Sequence, residues 1–249
     1  MVKIPKLTKV FKRTEKKYRI TYEQYRELID RIRDHIVPDK FGRSTINNIY
    51  FDTPDWRLIR ASIEKPTVYK EKLRIRSYGH PTADSKVFVE LKKKYKGVVY
   101  KRRVDMTYLE SIKYLCKKQP PPVESQITRE IDYFMSFYKT LRPKVSLFYD
   151  RVAYYAVEDK NLRLTFDTNI RFRTKDFDMS KGDFGRVILD ESEMLLEIKA
   201  AGAMPMWLID ALSDMKIYPT SFSKYGTAYK LMLSEQLNGI SEDNTVKLI

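Results

Sequence analysis

The stretch Lys70–Tyr78, KEKLRIRSY, sets Lys70, Lys72, Arg74 and Arg76 at every second position, with Glu71, Leu73, Ile75 and Ser77 between them. Alternate side chains of a β-strand point to opposite faces, so this segment carries four cations on one face. A row of like charges on a rigid strand has two readings. One is a solvated outer face; the other is a strongly anionic partner lying along it.

The alternation recurs along the chain. In KVFVELK (86–92), Val87, Val89 and Leu91 alternate with Phe88, Glu90 and Lys92. In LRLTFD (162–167), Leu162, Leu164 and Phe166 alternate with Arg163, Thr165 and Asp167. In MLLEIKA (194–200), Met194, Leu196 and Ile198 alternate with Leu195, Glu197 and Lys199. Further strands are expected at EKKYRI (15–20), TINNIYFDT (45–53), VVYKRRV (98–104) and KVSLFYDRVAYYA (144–156). The KVFVELK and LRLTFD strands extend to Tyr95 and Arg173.

Helices interrupt these strands. Thr21 and Gln24 form a capping box ahead of Tyr22, Tyr25, Leu28, Ile29, Ile32 and Ile36, with Pro38 as the stop. Others are expected after Pro54, over Met106–Lys117, over Glu124–Tyr138, from Pro205, and over Lys224–Leu237. Asp52 reads as the cap of the helix after Pro54. KKQPPPVES (117–125) reads as an exposed connection between two helices. Roughly eight strands with inserted helices is an α+β pattern, not the strict alternation of a parallel sheet.

The chain of 249 residues is 43% hydrophobic, which suits a folded globule, and its net charge of +15 points to an anionic partner, whether nucleic acid, an acidic membrane surface or a polyphosphorylated small molecule. Cys116, the one cysteine, excludes an internal disulfide and falls in the apolar pattern YLESIKYLC, which reads as packing. No run approaches the ~18 apolar residues of a membrane span, and the N-terminus has no apolar leader core. A single cytoplasmic domain over 1–249 is expected, with a core of about 11–233 and a flexible tail at 238–249. His35 and His80 read as surface residues. No P-loop, dinucleotide loop or zinc spacing is present.

Glu-x-Lys recurs at Glu15/Lys17, Glu90/Lys92 and Glu197/Lys199. Closing the strands into a barrel with ionic faces inward would gather these groups in one lumen. Such a lumen would repel itself unless it held water, metal and a polyanion.

The ordered set EKKY, YFDT, KEKLRIR, VELKKKYKGVVYKRR, FYDRVAYY, LRLTFD, LEIKA and FSKYG resembles the vacuolar transporter chaperone (VTC) domain. That domain is the polyphosphate polymerase branch of the CYTH-like triphosphate tunnel metalloenzymes, and the resemblance spans about Phe11 to Leu233. It implies an eight-stranded antiparallel barrel tunnel, covered outside by helices, that binds a triphosphate and a divalent metal, Mn2+ or Mg2+. Carried over by motif, Lys17, Lys72, Arg74, Arg76, Lys92, Lys101, Arg151 and Ser223 would bind phosphate. Arg163, Lys199 and Lys224 would bind phosphate and also act in catalysis. Glu197 would hold the metal, with Glu90 and Glu15 as further candidates.

Two departures from the family pattern stand out. Hydrolytic relatives begin Glu-x-Glu-x-Lys, whereas this chain reads Arg13-Thr14-Glu15-Lys16-Lys17. Ser221 stands where the closing motif of the eukaryotic branch often carries a lysine.

The resemblance implies transfer of the ATP γ-phosphate to inorganic polyphosphate, started on pyrophosphate or phosphate. Phosphoryl transfer asks the protein for positioning and charge, not for a side-chain nucleophile. A tunnel triphosphatase acting on tripolyphosphate or nucleoside triphosphates is the alternative, and a non-enzymatic polyanion or nucleic-acid binder is a third. Nucleic acid is disfavoured because neither a strand platform of exposed aromatics nor a basic recognition helix is evident. A membrane partner stays open.

Overall fold

The computed structural model describes residues 14–65, 68–96 and 98–237. Arg13, the start of the expected core at Phe11, and the expected tail 238–249 lie outside the described residues. The described residues divide into two compact units, one within 14–43, 151–168 and 191–221, the other within 44–150, 169–190 and 222–237.

The first unit begins with β1 (Thr14–Thr21), α1 (Tyr22–Ile32) and the short β2 (Ile36–Pro38). The Thr21/Gln24 capping box forms as expected, but α1 ends at Ile32 and not at Pro38, because Ile36–Pro38 pair with β7 (Arg142–Ala156) as a strand. Strand β1 pairs antiparallel with β10 (Glu193–Ala200), and β10 pairs with β8 (Arg163–Arg173). The apolar faces of these strands (Tyr18, Ile20, Leu164, Phe166, Leu196 and Ile198) share a core with α1 and with α5 (Met206–Asp214).

The second unit carries β3 (Ser44–Asp52), α2 (Arg57–Ile63), β4 (Tyr69–Tyr78), β5 (Lys86–Tyr95) and β6 (Val98–Thr107). Next come α3 (Tyr108–Lys117) and α4 (Gln126–Tyr138), joined by the exposed connection read from the sequence. Strands β3 to β6 pair antiparallel in sequence order. Their apolar face, with Leu73, Ile75, Val87, Val89 and Leu91, packs with Tyr114, Ile131 and Phe134 of α3 and α4. The unit closes with β9 (Arg186–Val187) and α6 (Lys224–Leu237). The adjacent strands β7 (Arg142–Ala156) and β8 each run through both units.

The α+β class holds, with an antiparallel sheet of ten strands. The two strands beyond the expected eight are β2 and β9, which pair beside the main path with β7 and β8. They are too short for a period-two pattern to reveal. Among the described residues β1 pairs only with β10 and β6 only with β5, so the expected closed barrel is not formed by these hydrogen bonds. Both end strands are densely charged, β1 with Glu15, Lys16, Lys17 and Arg19, and β6 with Lys101, Arg102 and Arg103. Charge of that kind protects an unpaired edge. No described helix is long and apolar enough to cross a membrane.

Two smaller expectations are corrected. Cys116 is exposed, because it falls on the outer side of α3. His35 is half-buried and stacks on Trp207 at 4.6 Å, whereas His80 is exposed as expected.

Asp52 ties three elements together. Its buried carboxylate accepts from the backbone N–H groups of Thr53, Leu58 and Ile59 at 2.8, 2.8 and 3.0 Å, and from the Tyr225 hydroxyl at 2.9 Å. It therefore caps α2 and anchors α6 to the end of β3. Replacing Asp52 with Ala strands these donors and should cost about 2–4 kcal/mol in urea unfolding at pH 7. An unchanged unfolding midpoint would remove Asp52 as the anchor.

Candidate functional site

The ionic face of the second unit is organised by Glu90, which is 1% exposed. Register sets Glu90 between Arg74 on β4 and Arg103 on β6. Arg74 donates to Oε2 through Nε at 2.7 Å and a terminal nitrogen at 2.5 Å. Lys101 and Arg103 meet Oε1 at 2.7 and 2.6 Å. Burial opposes ionisation of this carboxyl, but Arg74, Arg76 and Lys101 hold it well below the usual carboxylate range. Burial also lowers the Lys101 ammonium, which Glu90 offsets only in part.

The next row along the same face is Lys72, Lys92 and Lys101, directly opposite one another across β4, β5 and β6. Beyond it Lys70 faces Lys94. Like charges directly opposite destabilise a sheet, a cost that a bound anion would offset. Glu90 meets Lys101 diagonally, from the neighbouring row, while its direct register partner on β6 is Arg103.

Strand β3 supports the arginines. Arg76 donates to Asn48 Oδ1 at 2.9 Å and to the Tyr149 hydroxyl at 3.1 Å, and Arg74 donates to the Tyr50 hydroxyl at 2.8 Å. Tyr50 stacks on Tyr225 with ring centres 4.6 Å apart. Burial would raise the Tyr50 phenol, but Arg74, Lys72 and Arg76 outweigh it and bring it down to about 8. At the start of α6, Ser223 Oγ lies 3.4 Å from Lys72 Nζ and accepts from the Gly226 N–H at 3.1 Å. Lys224 Nζ sits 4.5 Å from the centre of the Tyr149 ring.

The remaining candidates lie in the first unit. Glu197 pairs with Lys199 on its own strand and with Lys17 across the β1–β10 ladder at 3.8 Å. Lys17 also reaches Glu15 at 3.6 Å, so one ammonium stands between two carboxylates. Arg163, register partner of Lys199, donates to Asp39 at 2.9 Å and lies 5.1 Å over the Tyr155 ring. Its Nε is buried without a partner. Arg151 makes a two-point contact with buried Asp167 at 2.6 and 2.7 Å.

The candidates thus fall into two sets. Lys72, Arg74, Arg76, Lys92, Lys101, Ser223, Lys224 and Glu90 belong to the second unit, and Lys17, Glu15, Arg151, Arg163, Glu197 and Lys199 to the first. The described residues contain no group of three His, Cys, Asp or Glu side chains that could hold a metal ion. Glu15 and Glu197 fit a divalent ion that takes most of its oxygen ligands from phosphates, as Mg2+ commonly does. Glu90 is held more tightly, since three cations meet its two oxygens at 2.7 Å or closer, whereas the Lys17 contact to Glu197 is 3.8 Å long and Lys199 meets its other oxygen.

Sequence pattern alone does not single out Asn48, Tyr50, Tyr149, Asp39 and Arg103 as site groups. Asn48, Tyr50 and Asp52 sit at period two on β3, and that spacing is the signal that points to the first two. Alternation cannot decide between Arg102 and Arg103, and the structure places Arg102 against Glu130 of α4 and Arg103 against Glu90.

The folded Glu90 carboxyl titrates below its unfolded range. Its pairing therefore stabilises the fold above about pH 4.3 and is lost as pH falls through the folded value. Glu90→Gln leaves three cations without their counter-ion and should cost about 3–5 kcal/mol at pH 7. The deficit should shrink toward pH 3, and urea unfolding at both pH values tests it. A deficit equal at both would exclude charge as the cause.

The VTC domain model matches residues 12–233. No curated protein matches by sequence. Among solved structures, a provisionally named adenylate cyclase from Bacillus halodurans aligns with TM-score 0.52 and 15% identity, over 84% of this chain and 92% of that one. A second provisionally named adenylate cyclase, from Vibrio parahaemolyticus, aligns with TM-score 0.48 and 11% identity, over 89% and 97%. The PH1819 protein of Pyrococcus horikoshii aligns with TM-score 0.44 and 13% identity, over 92% and 99%. At this identity the Bacillus likeness speaks to fold alone, while the family match covers most of the sequence: the chain belongs to the VTC domain family.

Proposed function

We propose that the chain is a polyphosphate polymerase that moves the γ-phosphate of ATP onto a growing inorganic polyphosphate chain. The observation that carries this reading is the lysine ladder of β4 to β6. From Lys70 to Arg76 the cations of β4 cover roughly 20 Å at the rise of a β-strand, a run suited to a chain of phosphates. A site for a single triphosphate would have less use for it.

In this reading a terminal oxygen of the polyphosphate attacks the γ-phosphorus. The bond from that phosphorus to the bridging oxygen breaks, and its electron pair leaves with ADP. Arg74 and Arg76 offer fixed planar donors to phosphate oxygens, and Lys17, Lys72, Lys92, Lys101 and Arg151 add charge along the chain. Ser223 can donate its hydroxyl to a phosphate oxygen. Arg163, Lys199 and Lys224 would stabilise charge on the transferred group. Glu197, with Glu15, would hold Mn2+ or Mg2+, which when bound neutralises phosphate oxygens. The substrates would be ATP and polyphosphate, with pyrophosphate or phosphate as primer, in the cytoplasm. We take the two units as one functional domain.

A tunnel triphosphatase is the second reading, favoured by the two carboxylates flanking Lys17. Incubation with ATP and manganese separates the two, since synthesis yields a long polyanion on a gel and hydrolysis yields phosphate alone. A non-enzymatic polyanion binder would give neither.

Glu197→Gln keeps the side-chain shape and removes the charge. It should lower manganese-dependent turnover about 100-fold or more while the protein stays folded. Retained turnover would remove Glu197 from the site. Lys224→Ala should abolish chain synthesis, whereas Lys160→Ala, which removes the same charge from an exposed turn, should change chain length little. Equal loss in both variants would mean that diffuse charge, not a specific site, does the work.

A further inference from the structure

The two ends of the ionic face on the second unit differ in chemistry. One end carries lysines, with Lys70 opposite Lys94 and the Lys72, Lys92 and Lys101 row behind them. The other end is aromatic. There Phe88 stands between Arg76 on β4 and Asp105 on β6, in the row beyond Glu90.

The Arg103 guanidinium lies 4.1 Å over the Phe88 ring and donates to the Tyr78 hydroxyl at 3.1 Å. Tyr78 meets Phe88 edge to face, with ring centres 5.8 Å apart and planes at 80°. Arg103 is also pinned from below, since its Nε donates to Glu90 at 2.7 Å. Tyr78 is 52% exposed, and Phe88 is half-buried.

A phosphate chain has no use for this cluster. Aromatic rings offer it neither charge nor strong donors, and Arg103 is already committed to Glu90 and Tyr78. A guanidinium held 4.1 Å over one ring beside an exposed second ring is instead a platform for another planar π-system, because arginine planes and aromatic faces both stack on bases. The adjoining Arg76 and Arg74 would meet phosphates attached to such a base.

We propose that Tyr78, Phe88 and Arg103 form the subsite for the purine base of the nucleoside triphosphate donor. This rests on the phosphate-binding reading given above and adds a direction to it. The donor lies along β4 with its base at the Tyr78 end and its phosphates running toward Lys72. The lysine-rich end, where Lys72 lies 5.8 Å from the centre of the Tyr225 ring, is left to the inorganic chain, which has no base to place. The subsite therefore distinguishes a nucleotide from a bare polyphosphate.

The test compares two ligands that share the triphosphate and differ in the base. Calorimetric titration measures ATP and inorganic tripolyphosphate binding to the unchanged protein and to Phe88→Ala, Phe88→Leu and Phe88→Trp. Phe88→Ala should weaken ATP about 5- to 150-fold, the range expected from loss of one base-stacking contact, and leave tripolyphosphate unchanged. Phe88→Trp should keep ATP binding. Phe88→Leu retains apolar volume without a ring, so it carries the same expectation as Ala if the smaller side chain unfolds the protein.

Unchanged binding of both ligands in the Ala and Leu variants overturns the platform and leaves the phosphate reading standing. Equal weakening of both ligands overturns it too, since the ring would then act only through the phosphate site. If the unchanged protein binds neither ligand, the phosphate reading falls and the platform falls with it.

Discussion

Glu90 is the charge on which the second unit depends. Three cations from β4 and β6 converge on one carboxylate that is almost wholly removed from water. Without it, Arg74, Lys101 and Arg103 would repel one another across two strand pairings. With it, the cations are fixed in place but not cancelled, because one negative charge cannot neutralise three positive ones. The surplus would attract an anion, and the anchoring would spare that anion part of the cost of ordering the side chains that receive it.

The other face of the same strands solves a different problem with the same chemistry. Glu71 points toward the helices, where it accepts from the hydroxyls of Tyr69 at 2.5 Å and Tyr138 at 2.6 Å and lies 3.7 Å from Lys93. Arg102 reaches Glu130 of α4 on that side. Polar groups thus tie the helical layer to the sheet at its margin, while Leu73, Val89 and Leu91 are fully buried at its centre. Each strand of this part is therefore held on both faces, by apolar contact below and by ion pairing above.

Period-two patterning makes much of this arrangement legible in the chain itself. Val87, Val89 and Leu91 are all fully buried, as the alternation in KVFVELK requires, and Glu90 is turned to the ionic side. The Thr21/Gln24 box and the Asp52 cap are readable because capping depends on spacing over a few residues. Partners across strands are not readable. Glu90 meets Arg103 because of the β5–β6 register, which alternation alone does not set. The same limit hides the bonds from Arg74 to Tyr50 and from Arg163 to Asp39, whose residues are separated by 24 and 124 positions. The α3 helix starts at Tyr108 and not Met106 because β6 runs on to Thr107 before the helix can begin.

The division of the chain also bears on how it folds. Strands β3 to β6 pair with their sequence neighbours, and α3 and α4 follow within residues 44–138, so most of the second unit can assemble from local contacts. The first unit is discontinuous. Its opening strand, at Thr14–Thr21, finds its partner only when Glu193–Ala200 has been made. Closing so long a loop is entropically costly and slows folding. During synthesis β1 therefore stays without its partner strand long after the β3–β6 meander has left the ribosome. The density of charge along β1 then has a second use, since Lys16, Lys17 and Arg19 keep a waiting strand from pairing with the wrong neighbour.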